Sequence, residues 1–304
     1  MSKKKLYLLA VLLLLAGCGS PTRYPHVSLA EVPPAATSTP PGSQAPLRVA
    51  VAAVISPKGT IKSYSLFLDY LAQQIGRPVE LVQRQTYAEV NNLVRDGGVD
   101  LALVCTGAYV RGHRDFGMEL LVAPQVAGET VYYSYIIVPA RSPAQGLTDL
   151  RGKTFAFTDP LSNSGWLMPV YLLWQIGETA EHFFEQTIYT YSHDNSIRAV
   201  AEGLVDGAAV DSLVYDYTLR RDPTLADRVR VIGRSEPCGM PPVVVPPGLD
   251  AAQKAALRDV LLTMHQDPDG RAALDELLIE RFVQIDDQAY DSVREALEKV
   301  GGWP

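Results

Sequence analysis

Cysteine is scarce, with three in 304 residues. Cys18 ends an N-terminal apolar run, so only Cys105 and Cys238 remain for everything that follows. Neither belongs to a Cys/His spacing that would hold a metal, which argues against a metal site and against a disulfide-dense scaffold; no cofactor is expected. In an exported chain two such cysteines either pair or stay as free buried thiols, and the sequence leaves both open. Positive charge is also short, at 27 Lys and Arg against 34 Asp and Glu, for a formal net charge of −7. Phosphate backbones are held on basic faces, so a nucleic-acid partner is not expected. No Gly-x-Ser-x-Gly elbow is present, which removes the commonest serine-hydrolase signature.

The one long apolar run lies at the start. Lys3, Lys4 and Lys5 precede Leu6 to Leu15, a stretch of signal-peptide length that is too short to span a bilayer comfortably. Leu15-Ala16-Gly17-Cys18 follows and resembles the bacterial lipobox. Residues 1–17 are therefore expected to be a lipoprotein signal peptide and Cys18 the lipid attachment site. Loss of those three lysines takes the formal charge from −7 to −10. Residues 18–46 carry Pro21, Pro25, Pro33, Pro34, Pro40, Pro41 and Pro46 among Ser, Thr and Ala. Such a stretch buries no core and reads as an extended tether. The expectation is an exported protein, a monomer held to the membrane by its lipid alone.

From Leu47 onward strands and helices alternate. Apolar runs at 47–54, 79–82 and 100–104 are separated by helical patterns, the second opened by a Thr86–Glu89 capping box. After Val131–Val138 the alternation repeats, with strands at 153–157, 188–191, 207–210 and 229–232 and helices at 166–176, 195–203 and 212–220. Three more helices follow, near 250–266, 271–279 and 287–299. The pattern predicts an α/β protein of two lobes, each a mostly parallel sheet flanked by helices, with a ligand in the cleft between them. Residues 47–138 and 238–304 would build lobe 1, and 139–237 lobe 2.

The most informative stretch is Phe157-Thr158-Asp159-Pro160-Leu161-Ser162-Asn163-Ser164-Gly165, a strand end that opens through small polar residues into a helix. Backbone N–H groups and the helix dipole at such a mouth favour a small anion. Ser162, Asn163 and Ser164 are candidate contacts, although a polar N-cap cluster would look the same. Gly165 is expected to let a ligand approach the backbone. His193 and Asp211 follow strands on the same side. An imidazole donates to an oxyanion, whereas a carboxylate accepts, so Asp211 would ask for a ligand that still carries a proton. The bland alternatives are a loop histidine and an N-cap for the helix near Ser212. Tyr87 opens a capped helix, Tyr132 lies near the first crossing between lobes, and Thr106, Gly107 and Tyr109 follow a strand toward the same cleft. Ser162 or Ser164 with His193 and Asp211 also supplies the residue types of a hydrolase triad.

In their linear order these pieces resemble the phosphonate, phosphite and phosphate-binding family of ABC-transporter solute-binding proteins. The matching stretches are Gln85-Thr86-Tyr87-Ala88-Glu89-Val90, Gly97-Gly98-Val99-Asp100-Leu101-Ala102, Tyr132 to Val138 and Asp149 to Pro160. They continue through Ser162-Asn163-Ser164-Gly165, Ser192-His193-Asp194 and Val205 to Asp211. The resemblance implies a type II periplasmic-binding fold that closes on its ligand. It also implies oxyanion contacts on Tyr87, Tyr132, Ser162, Asn163, Ser164 and His193, with Asp211 as acceptor. Members that take aminoalkyl phosphonates place a carboxylate before the return strand, where this chain reads Gly239-Met240-Pro241-Pro242. The cargo so implied is compact: phosphite, phosphate or a small alkyl phosphonate, passed to a membrane permease. An anion sensor for a membrane signalling partner would use the same binding chemistry.

Overall fold

The computed structural model describes residues 45–304. The signal peptide, the Cys18 lipid site and nearly all of the tether lie outside the described residues. The chain begins with β1 (Leu47–Val51), α1 (Pro57–Ile75), β2 (Val79–Val82), α2 (Tyr87–Arg95), β3 (Leu101–Leu103), α3 (Thr106–Phe116) and β4 (Glu119–Gln125). It continues through β5 (Val131–Tyr132), β6 (Ser134–Pro139), β7 (Thr154–Phe157), α4 (Met168–Gln175), α5 (Ala180–Phe183), β8 (Gln186–Tyr189), α6 (His193–Ala201), β9 (Gly207–Asp211), α7 (Ser212–Arg221) and β10 (Val229–Arg234). It returns in β11 (Cys238–Gly239), β12 (Val243–Val245), α8 (Ala251–Thr263), α9 (Pro268–Glu276), β13 (Arg281–Val283) and α10 (Asp291–Lys299).

Local chemistry sets these limits. Pro57 sits in the first turn of α1, where its missing N–H is no loss, and Gly76 ends the helix in the left-handed region at φ 70°. At α2 the Thr86 hydroxyl accepts from the Glu89 N–H at 3.2 Å and the Glu89 carboxylate accepts from the Thr86 N–H at 2.9 Å. That reciprocal cap fixes where Tyr87 leaves the loop.

Two sheets result. The first has the order β13-β4-β12-β3-β1-β2, and the second β10-β6-β9-β7-β8. In the first, β1 runs parallel to β2 and β3, while β12, from the returning chain, lies antiparallel to β3 and β4. In the second, β7 is parallel to β8 and β9, while β6 is antiparallel to β9 and β10. Each sheet is thus a parallel core with antiparallel additions, more mixed than the alternation alone suggests. β5 and β11 form a small ladder in which Tyr132 faces Cys238.

The first passage between sheets falls near Tyr133, ahead of the expected boundary at 138/139. Ser134 pairs with Asp211, and Ile136, Ile137 and Val138 are buried in the second sheet. Tyr and Ile have strand character from Val131 to Val138, so sequence shows one strand where the chain makes two. The return passage lies beside it, with the Ser235 N–H donating to the Ser134 carbonyl at 2.9 Å. Helix α3 and strands β4 and β13 were not expected, and α6 begins at His193, two residues early. One apolar cluster runs across both sheets, taking Tyr87, Val104 and Tyr290 together with Phe155, Phe157 and Leu167.

Candidate functional site

β7 ends at Phe157, and the next residues form a tightly bonded turn. One oxygen of the buried Asp159 carboxylate accepts from the Leu161 N–H at 2.8 Å. The other accepts from the Tyr87 N–H at 3.1 Å, which ties this turn to the start of α2. Asn163–Leu167 then make a wide π-type turn that runs directly into α4. Such turns cost regular hydrogen bonding and gather at functional sites. The Ser162 hydroxyl accepts from the Gly165 N–H at 2.9 Å, so Ser162 does act as an N-cap.

Gly165 serves packing and not ligand access. A Cβ there would lie 2.5 Å from Thr158 Cβ and 2.9 Å from the Ser162 hydroxyl. Gly107, in the first turn of α3, meets the same turn backbone to backbone: a Cβ there would stand 3.0 Å from the Asn163 N and closer still to the Leu161 carbonyl. Thr106 donates to the Gly239 carbonyl, and Tyr109 turns away to donate to Asp287 at 2.7 Å.

Around this turn stands a group of polar side chains that lack partners. The Asn163 amide donates to the Tyr132 hydroxyl at 3.0 Å, leaving Asn163 Oδ1 free. The Ser164 carbonyl takes the Ser134 hydroxyl at 2.6 Å, but Ser164 Oγ has no partner. Tyr87 Oη and His193 Nε2 are also unpartnered, and all four residues are 0% exposed. A buried polar atom left without a hydrogen bond costs about 1–3 kcal/mol. Four in one connected region ask for an explanation.

The tautomer of His193 follows from its neighbours. Its Nδ1 lies 3.1 Å from the Asp211 backbone N–H and 3.1 Å from the Thr158 hydroxyl. A backbone N–H only donates, so Nδ1 accepts and the ring proton sits on Nε2. Burial lowers the imidazole pKa to about 3, so the ring is neutral and Nε2–H is a donor. Asp211 caps α7, accepting from the Leu213 N–H at 2.7 Å and the Val214 N–H at 3.3 Å. Burial nevertheless pushes its carboxyl up to about 7, against the downward pull of those two bonds. Desolvation and the neighbouring Cys105, Asp159, Asp211 and Tyr132 raise the Tyr87 phenol, while desolvation also leads the rise at Tyr132, so both stay protonated donors.

All seven residues singled out from sequence lie buried in this region. Three neighbours were not assigned a role. Asp159 holds both the turn and Tyr87. Cys105 and Cys238 are free buried thiols that flank Asn163: Cys105 takes N–H bonds from Asn163 and Gly107, and Cys238 takes side-chain bonds from Asn163 and Ser235. Burial raises both thiols to about 11, so both remain uncharged. The Asp-Pro pair before a helix mouth could have pointed to Asp159; nothing in the spacing of the cysteines pointed to the site.

Residues 49–290 match the family described as ABC transporter, phosphonate, periplasmic substrate-binding protein. The chain is similar to the phosphate-import protein PhnD of Mycolicibacterium smegmatis, 31% identical over 185 residues, covering 57% of this chain and 58% of that protein. It is similar to the phosphonates-binding periplasmic protein of Escherichia coli, 26% identical over 219 residues, covering 69% of this chain and 64% of that protein. The match thus spans about three fifths of the length of these relatives. Among solved structures, a binding-protein component of an ABC phosphonate transporter from Pseudomonas aeruginosa superposes with TM-score 0.80 at 25% identity, covering 84% of this chain and 87% of that one. PhnD1 of Prochlorococcus marinus, solved with methylphosphonate, gives TM-score 0.76 at 20% identity over 84% of this chain and 97% of that one, a likeness of fold. The fold is the type II periplasmic-binding fold, and this chain belongs to the family of periplasmic substrate-binding proteins of phosphonate ABC transporters.

Proposed function

We propose that this chain captures a small phosphorus oxyanion (phosphite, phosphate or an alkyl phosphonate) by closing its two lobes and delivers it to a membrane permease. The observation that carries the reading is the set of unpartnered buried groups: Tyr87 Oη, Ser164 Oγ and His193 Nε2 as donors, and Asn163 Oδ1 as an acceptor. A fully ionised anion satisfies the donors and leaves Asn163 Oδ1 empty; an anion that keeps one proton satisfies both. Tyr132 and Ser162 stand beside the group as further hydroxyls. Asp211 sharpens the choice, because near its midpoint it tolerates a proton-bearing ligand and opposes sulfate by like charge. Charge-assisted hydrogen bonds contribute about 1.5–3 kcal/mol each, so neutral donors suffice without Lys or Arg in the site.

Lobes joined by strand passages at Tyr133 and 235–237 would open and close as a hinge. Export, with Cys18 as the lipid anchor, would place the protein outside the inner membrane, where the permease receives its cargo. A Ser/His/Asp hydrolase is disfavoured by the geometry. His193 directs a proton-bearing nitrogen toward the site, its Nδ1 is held by a backbone N–H and not by a carboxylate, and Ser164 Oγ bonds no base.

A thermal-shift panel of phosphate, phosphite, methylphosphonate, aminoethylphosphonate and sulfate tests the reading. Phosphorus anions are expected to raise the melting temperature and sulfate to do so least. Ser164→Ala should weaken binding by about 2 kcal/mol, and Asp211→Asn should narrow the gap to sulfate. Equal response to every anion, or to none, would reject the proposal.

A further inference from the structure

Beside the anion group lies a second, separate space: a cavity of about 150 Å³ whose walls come from both lobes and are mostly apolar. Its relation to the anion group is set by shared backbone. Asp211 lines the cavity while its own N–H holds His193 Nδ1. Val54 lines it while its carbonyl accepts the His193 N–H at 3.0 Å. Leu213 and Val214 line it while their N–H groups cap Asp211. Val104, next to the Cys105 that flanks Asn163, forms another wall. The anion contacts and the cavity are therefore two faces of one set of residues, with the Asp211 side chain at the boundary.

An empty apolar cavity of roughly 150 Å³ inside a protein is large enough to take a benzene ring. Phosphate or phosphite alone would leave this space unfilled. We infer that the site selects a tetrahedral phosphorus oxyanion bearing an uncharged alkyl or aryl substituent of about four to six carbons, which passes Asp211 and fills the cavity. This rests on the anion reading given above and names the substrate class within it. The polar rim, Asp216 with Tyr64 and Tyr217, would meet the far end of the substituent and set its length. A phosphonate and a phosphate monoester share this chemistry, differing by one ester oxygen at the boundary.

Calorimetry on the full chain tests it with methylphosphonate, butylphosphonate, phenylphosphonate and butyl phosphate. Each buried methylene should tighten binding about four-fold, so butyl is expected to exceed methyl by about ten-fold or more after rotor freezing. Comparison of butylphosphonate with butyl phosphate decides between the two sources. Ile55→Phe and Val126→Phe each fill the cavity from a different wall, away from the anion contacts. Either should abolish the advantage of butyl and phenyl and leave methylphosphonate affinity unchanged, which also reports that the variant is folded. Butyl and phenyl binding no tighter than methyl, or an advantage that survives both fillings, overturns the inference while leaving the anion site standing. Absence of binding by all four overturns the anion reading itself, and the inference with it.

Discussion

His193 and Asp211 touch through a single hydrogen bond, yet burial moves their titrations in opposite directions. His193 falls from 6.5 to about 3. Between those values the unfolded chain binds a proton that the folded chain refuses, so this group adds stability as pH rises. Asp211 climbs from 3.8 to about 7. Between those values the folded chain keeps a proton that the unfolded chain releases, so this group removes stability as pH rises. Each slope is at most about 1.4 kcal/mol per pH unit, and where the windows overlap they cancel. Asp211→Asn should uncover the His193 slope: urea midpoints measured from pH 4 to 6.5 should climb in the variant and stay nearly level in the parent. Parallel curves would show that Asp211 is not desolvated. The residue choices fit this exposure to cost, since the other members of the site are hydroxyls, an amide and two uncharged thiols, none of which needs a counter-ion when buried.

The turn from Thr158 to Leu167 shows how an element makes a site. Its backbone is held by Asp159, by the Ser162 cap and by the packing of Gly165 on Thr158. With those three in place, Ser164 Oγ and Asn163 Oδ1 have no local partner left. Gly165→Ala should overpack the turn and cost about 1–3 kcal/mol, read as a lowered melting temperature, with binding reduced in proportion to the displacement of Ser164. An unchanged melting temperature would mean the turn can relax away from Thr158. Sequence located this element because a strand end, a run of small polar residues and an apolar helix follow each other without a gap. It did not reveal the π-type winding, which depends on Thr158 and Gly107 pressing from outside the turn.

Across the whole molecule, the lobes meet at the same helix mouths that face the anion group. The Asp194 carboxylate accepts from the Ser56 N–H at 2.8 Å and the Ser56 hydroxyl at 2.6 Å, and the preceding His193 N–H reaches Val54. Ser63 with Tyr217 and Arg221 with Glu276 join the lobes farther out. Ligand contact at His193 and lobe contact at Asp194 are thus adjacent residues of α6. Asp194→Asn should favour the open form without touching the anion, weakening methylphosphonate binding about ten-fold through loss of one charge-assisted bond. Small-angle scattering should then need correspondingly more ligand to reach the compact radius; an unaltered titration would exclude Asp194 as a latch.

The amino-acid order alone determined the alternation of strands and helices, the export-type leader, the acidic balance and the polar mouth at 162–164, because periodicity, capping and turn chemistry act over a few residues. Tertiary structure decided what those pieces do together. Only long-range contact brings Tyr87 and Tyr132 to that mouth, fixes the His193 proton on Nε2, sets two distant cysteines on either side of Asn163, and leaves an apolar space beyond Asp211. Each depends on which groups are desolvated and already bonded, and that is settled by residues fifty to a hundred and fifty positions away.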